Sequence, residues 1–204
     1  MITCGPTWVP VDTMRVISNR SSGALGQMLA EDFTKAGTKV TLLEGPVAKP
    51  AASKTFKVLK FLFFDELAAL MRAELKKNYD VCIHAAAVSD YKVKNPKRTK
   101  LSSKLHKLKL DLVPTEKLVH RIKKLNPGLF LVTFKLEAKM TRAAAAERSK
   151  DLFEKGRSDI VVANSLQGQK YSGYILDKHK KFLAHEQSRK GLSRTLVKIA
   201  GKHL

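Results

Sequence analysis

Acidic residues are scarce in this chain. Eighteen aspartates and glutamates face thirty-nine lysines and arginines, for a formal charge of +21. Such a balance attracts polyanions: nucleic acid, phosphorylated small molecules or an anionic surface. No zinc-finger, helix-turn-helix or aromatic RNA-binding signature accompanies the charge. A solvated, lysine-rich surface therefore accounts for most of it, and nucleic acid is not the expected partner. Cysteine is nearly absent. Cys4 and Cys82 each sit in an apolar, strand-like run and form no metal-ligand spacing. Two buried free thiols suit a reducing compartment, so a cytoplasmic location is expected. No apolar run approaches the length of a membrane span. Met1 leads directly into Ile2, Thr3 and Cys4, which reads as a strand, so no signal peptide is expected.

What is present fits one globular domain over 1–204, 44% hydrophobic and 28% charged. Apolar periodicity alternates between strand and helix along the chain. Strands are expected at 2–4, 39–43, 56–63, 79–87, 107–113, 129–134 and 159–164. Helices are expected at 22–36, 64–78, 115–125, 141–155 and 190–203. The stretch 8–17 reads as a long loop, and 92–106 as a flexible, basic flap. A hairpin across 174–184 and the last helix form an extension at about 172–204. Repeated β-then-α units imply an α/β fold: a doubly wound, mostly parallel, Rossmann-like sheet with helices on both faces. Ligands belong at the carboxyl ends of such strands, which here carry Gly5, 88–90, Phe134 and Asn164.

Two stretches carry the chemistry if they meet. In Ile17-Ser18-Asn19-Arg20-Ser21-Ser22-Gly23-Ala24-Leu25-Gly26, a polar turn runs into an amphipathic helix. Serines can cap that first turn, and glycine lets N–H donors approach a phosphate; the same pattern also makes an ordinary tight helix start. In Ala85-Ala86-Ala87-Val88-Ser89-Asp90-Tyr91, a buried strand ends in polar residues, and Lys100 follows in the flap. His84 inside that strand reads as a satisfied core residue.

These residues resemble one family. Thr3-Cys4-Gly5-Pro6-Thr7, then Pro10-Val11-Asp12 and Arg15, then Ile17 to Gly23, look like the opening signature of phosphopantothenoylcysteine synthetase. Ala86 to Tyr91, Lys100, Phe134-Lys135-Leu136-Glu137 and Asp159 to Asn164 follow in the family's order. The resemblance covers almost the whole chain and is closest to the stand-alone form, because the chain begins at the synthetase signature. It implies a ligase joining 4'-phosphopantothenate to L-cysteine through an acyl nucleotide, with Mg²⁺ and a nucleoside triphosphate, no flavin, and a homodimer. Lys100-Leu101-Ser102-Ser103 and the missing Asn-Pro-Asp run after Val113 leave CTP and ATP both open. CTP is expected because the chain is short.

The resemblance also implies roles. Asn19 would stabilise the acyl nucleotide and touch substrate, and Lys100 would reach the triphosphate. Backbone at His84, Ala85 and Ala86, the Asp90 carboxylate, the Phe134 ring, Lys150 and Lys155 would bind nucleotide. Asp90 would also meet the metal. Ser21, Ser22, Gly23 and Ala87 would hold phosphopantothenate. Each has an ordinary alternative: a turn for Asn19, a cap for Asp90, a solvated surface for Lys100, strand core for Phe134. Two other functions share the fold. An NAD(P) oxidoreductase would use Glu44 after the second strand and the Tyr174/Lys178 spacing. A basic nucleic-acid binder would use the charge alone.

Overall fold

Short apolar runs with no polar alternation form the centre. In the computed structural model, which describes residues 1–104, 106–168 and 170–204, β6 (Val81–His84) is buried at every position. So are β1 (Ile2–Cys4) and β4 (Thr41–Glu44). A strand apolar on both faces must be covered on both faces, which demands parallel neighbours linked by helices. Together with β5 (Lys57–Lys60), β9 (Phe130–Glu137), β10 (Ile160–Gln167), β11 (Lys170–Asp177) and β12 (Phe182–Glu186), they build an eight-stranded sheet in the order β12-β11-β10-β9-β6-β1-β4-β5. The run from β5 to β10 is parallel, and β11 and β12 are antiparallel additions.

Helices cover both faces. Leu29, Ala30 and Phe33 of α1 (Ala24–Lys35) and Leu192 and Leu196 of α6 (Arg189–Ala200) pack on Ile2, Ile83, Val132 and Val162. On the other face, Leu67 and Met71 of α2 (Phe64–Glu74) and Ile122 of α3 (Val119–Leu125) pack on Leu43, Cys82 and Leu131. Each such buried side chain stabilises by roughly 1.5–3 kcal/mol. Met28, although apolar, is only partly covered; Gly26 and Ala30 are buried on α1 beside Leu29 and Phe33. The reason is proximity: a Cβ on Gly26 would lie 2.3 Å from Cys4 Cβ.

Several sequence expectations change. The stretch 8–17 is no open loop. It forms an antiparallel hairpin of β2 (Trp8–Pro10) and β3 (Val16–Ser18), seated by Val9 and Val11 on Val93 and Leu101. The expected strand 107–113 contributes only Leu112 and Val113 to β8 (Leu112–Pro114), which pairs with β7 (Tyr91–Val93). The alternation upstream is real, but among the described residues it pairs in no ladder. Helix 141–155 is two helices, α4 (Arg142–Arg148) and α5 (Lys150–Glu154). Buried Ser149 separates them, and its carbonyl accepts the Leu152 N–H in a tighter turn. Of the expected flap 92–106, Leu105 lies outside the described residues. No described helix is long and apolar enough to cross a membrane.

Candidate active site

The chain leaves β1 toward β4 and β5, then returns to β6 on the other side of β1. That reversal opens a crevice beyond the carboxyl ends of β1 and β6, where open α/β sheets bind ligands. Both signature stretches converge there. Ala87 N–H donates to the Gly5 carbonyl at 2.8 Å, carrying the pairing past the ends of the two strands. The Asn19 amide then reaches across, donating to the Ala87 carbonyl at 3.2 Å and to the Val88 carbonyl at 3.3 Å. Asn19 itself is exposed, so its side chain spans the mouth of the crevice.

Gly23 opens α1 from a left-handed conformation, φ 71°. The serines make no side-chain cap by the usual bond to the second or third helical N–H; Ser22 Oγ lies 3.5 Å from Ala24 N. The capping expectation is thus corrected. Gly23 holds the cap position because a left-handed turn there suits glycine, and the first-turn N–H groups have no carbonyl ahead of them. Ser21 and Ser22 precede it in the same turn.

The strand end is braced from beneath. Thr3 Oγ1 lies 2.9 Å from His84 Nδ1 and accepts the Ala86 N–H at 3.2 Å. Burial drives the His84 imidazole down to about 4, so it is neutral at physiological pH. Thr3 Oγ1 thus serves both the His84 ring and the backbone of the strand tip. His84 is thus the satisfied core residue the sequence suggested. Its neighbours Ala85, Ala86 and Ala87 are half-buried at the strand tip. Thr7 and Ser89 repeat the device: Ser89 N–H donates to Thr7 Oγ1 at 2.9 Å, and Ser89 Oγ donates to the Thr7 carbonyl. Sequence reasoning assigned Thr3 and Thr7 no role. The available signal was a hydroxyl inside or just beyond an apolar strand, where it must find a partner.

Asp90 ends the stretch, exposed and paired with Lys117 at 2.6 Å. No cluster of three or more His, Cys, Asp or Glu among the described residues could hold a metal by itself. A lone exposed carboxylate suits Mg²⁺ that draws its other ligands from phosphates and water. The flap is anchored at its root. The Asp12 carboxylate accepts the backbone N–H groups of Leu101, Met14 and Arg15, and lies 3.5 Å from the Arg15 guanidinium. Those donors, Leu101 foremost, hold its pKa below the usual carboxylate range. Lys100, next to the anchored Leu101, is exposed.

Phe134 is half-buried on β9, at the same carboxyl edge and on the α1 face. Lys150 and Lys155 lie on the crossover from β9 to β10, at the start of α5 and just past its end. Lys155 pairs with Asp151 at 2.8 Å, which raises its affinity for its proton, and Asp151 also meets His120 of α3 at 3.3 Å. A cavity of about 830 Å³ lies at the opposite, amino edge of the sheet, walled by Phe130, Ile160, Lys198 and His203; Asp159 and Ile160 open onto it, but none of the residues expected to bind substrate or nucleotide does. The dehydrogenase reading fails on geometry. Glu44 turns inward, almost fully buried, and accepts from Gln27 Nε2 at 2.7 Å and Ala51 N at 3.0 Å, so it offers nothing to a ribose. Tyr174 lies on a strand, stacked on His185, not on a helix.

The chain is similar to known proteins in sequence and in fold. Over 168 residues the chain is 37% identical to the coenzyme A biosynthesis bifunctional protein CoaBC of Thermococcus kodakarensis, covering 82% of this chain and 41% of that protein. It is 32% identical over 169 residues to a cysteine/cysteine sulfinic acid decarboxylase from an unknown prokaryotic organism, covering 81% of this chain and 45% of that one. The chain thus spans less than half the length of either curated relative. The crystal structure of the DNA/pantothenate metabolism flavoprotein from Streptococcus pneumoniae superposes with a TM-score of 0.87 at 25% identity, covering 99% of this chain and 98% of that chain. The family described as DNA/pantothenate metabolism flavoprotein, C-terminal domain, matches residues 1–200, and the chain belongs to that family.

Proposed function

We infer that the chain is the ligase unit that joins 4'-phosphopantothenate to the amine of L-cysteine in coenzyme A biosynthesis. The observation that carries this is the Asn19 bridge to the Ala87 and Val88 carbonyls, which ties the phosphate-type helix start to the strand tip in one crevice. A carboxylate is a poor electrophile. Its oxygen attacks the α-phosphorus of a nucleoside triphosphate, pyrophosphate leaves, and the cysteine amine then displaces the nucleotide monophosphate from the acyl carbon.

Each nearby residue has a part in this reading. Gly23 and the first turn of α1, with Ser21 and Ser22, take the substrate phosphate through N–H and O–H donors. The backbone at Ala85, Ala86 and Ala87 and the Phe134 ring face the nucleotide. Lys100 brings a positive charge to the triphosphate from the anchored flap. Asp90 would hold Mg²⁺, which neutralises phosphate charge when bound; releasing Asp90 from Lys117 is part of that binding. Asn19 gives up one of its two long bonds to donate to the oxyanion formed at the acyl carbon. The nucleotide is CTP, and the active form is a homodimer. Exposed Leu108, Leu110 and Leu112, at alternate positions beside the flap, support the dimer.

The test incubates the pure protein with phosphopantothenate, cysteine, Mg²⁺ and each common nucleoside triphosphate, and measures pyrophosphate. Release with CTP is expected. Release mainly with ATP keeps the reaction and reverses the nucleotide. No release with any of the four overturns the ligase. Asn19→Ala should still release pyrophosphate once, but form product about 10²–10³-fold more slowly, with the acyl nucleotide accumulating.

A further inference from the structure

We propose that Gln27, Glu44 and Val47 form a clamp that positions the N-terminus of α1 against the substrate phosphate. The identity of that substrate rests on the ligase reading; the clamp itself rests on packing around three glycines. Gly5 and Gly23 are both left-handed, at φ 77° and 71°. A Cβ on Gly5 would lie 3.0 Å from Val47 Cγ1, and one on Gly23 only 2.7 Å from the same atom. Val47 therefore fills the space that two missing side chains leave, wedged between the end of β1 and the start of α1. Gly45, at the base of the same loop, donates its N–H to the Cys4 carbonyl at 2.9 Å. A Cβ there would lie 2.2 Å from the Pro6 carbonyl oxygen. The three backbones approach so closely that no side chain but the wedge fits among them.

The loop behind the wedge is held from α1. Gln27 closes the first helical turn, its N–H donating to the Gly23 carbonyl at 3.1 Å. Its side-chain amide donates to Glu44 Oε1 at 2.7 Å and to the Lys49 carbonyl at 2.8 Å. Ala51 N–H reaches both Glu44 oxygens, at 3.0 and 3.1 Å. A carboxylate buried this fully needs such donors, and charge-assisted bonds are the stronger kind. Glu44 thus fixes the loop at residue 51, Gln27 fixes it at residue 49, and Val47 transmits the fit to Gly23. The helix start cannot shift without breaking the Gln27–Glu44 hydrogen bond.

These three are positioning residues. Their loss should weaken binding of the phosphorylated acid without touching the nucleotide. In Val47→Ala and Gln27→Ala, KM for phosphopantothenate rises about tenfold, a factor worth 1.4 kcal/mol, while KM for the nucleoside triphosphate and kcat stay near wild type. Val47→Thr keeps the branched shape and restores the wild-type KM. An equal rise in both KM values, a fall in kcat alone, or no change overturns the clamp. Amide hydrogen exchange at position 27 reads the same device without substrate: protection falls in Val47→Ala and is retained in Val47→Thr. If the wild-type protein turns over no phosphopantothenate, the ligase reading has failed, and exchange alone judges the clamp. Unchanged protection in Val47→Ala then overturns it.

Discussion

At the scale of single residues, His84 couples the strand tip to pH. Its imidazole is buried against Thr3 and titrates at about 4 instead of its ordinary 6.5. Below 6.5 the unfolded chain binds a proton that the folded chain refuses. Stability therefore rises with pH between about 4 and 6.5 and is lost as pH falls through that window. From pH 7 to pH 5 this one group removes about 2 kcal/mol. Chemical unfolding at the two pH values measures it, and His84→Gln should flatten much of the slope. An unchanged slope in that variant would place the acid sensitivity elsewhere. From the residues alone it was legible as a core histidine; its partner, Thr3, lies on the neighbouring strand and is set by the sheet.

At the scale of elements, α1 is the piece that cannot move. Gly26 lets the helix lie on β1 so closely that an added methyl overlaps Cys4. Gly26→Ala should destabilise the fold by about 1–3 kcal/mol, as overpacked cores do. Gly128→Ala, with nothing within 4 Å of the new Cβ, is the control and should change far less in the same urea titration. Periodicity locates α1 to within two residues of its observed ends. It does not reveal that the helix rides on glycine and alanine, because that depends on its distance from the sheet. The hairpin of β2 and β3 was missed for a related reason. Its strands are three residues each, too short for alternation to register, and they are held by contacts with β7 and the flap.

At the scale of the whole molecule, charge and exposed leucine remain to be placed. The net charge of +21 repels copies of the chain from one another. A dimer must therefore form through apolar surface, and the run from Leu108 to Leu112 offers it. Sedimentation should find a dimer for the wild type and a monomer for Leu110→Lys, with ligase activity falling alongside. A monomeric wild type would remove the dimer from the proposed function.

The sequence by itself determined the sheet and its helices, because burial on both faces leaves a period and composition that local reading detects. It also determined the signature stretches, because glycine, serine and asparagine before an amphipathic helix have few uses. Only the tertiary structure decided which of these residues meet. Asn19 finds Ala87 and Val88, sixty-eight and sixty-nine residues away, through a reversal of strand order that no local pattern encodes. The same folding turned Glu44 from a candidate ribose ligand into a buried acceptor for Gln27 and Ala51, and set Val47 against two glycines. Contacts between residues distant in sequence depend on register and crossover direction, and these are properties of the assembled sheet.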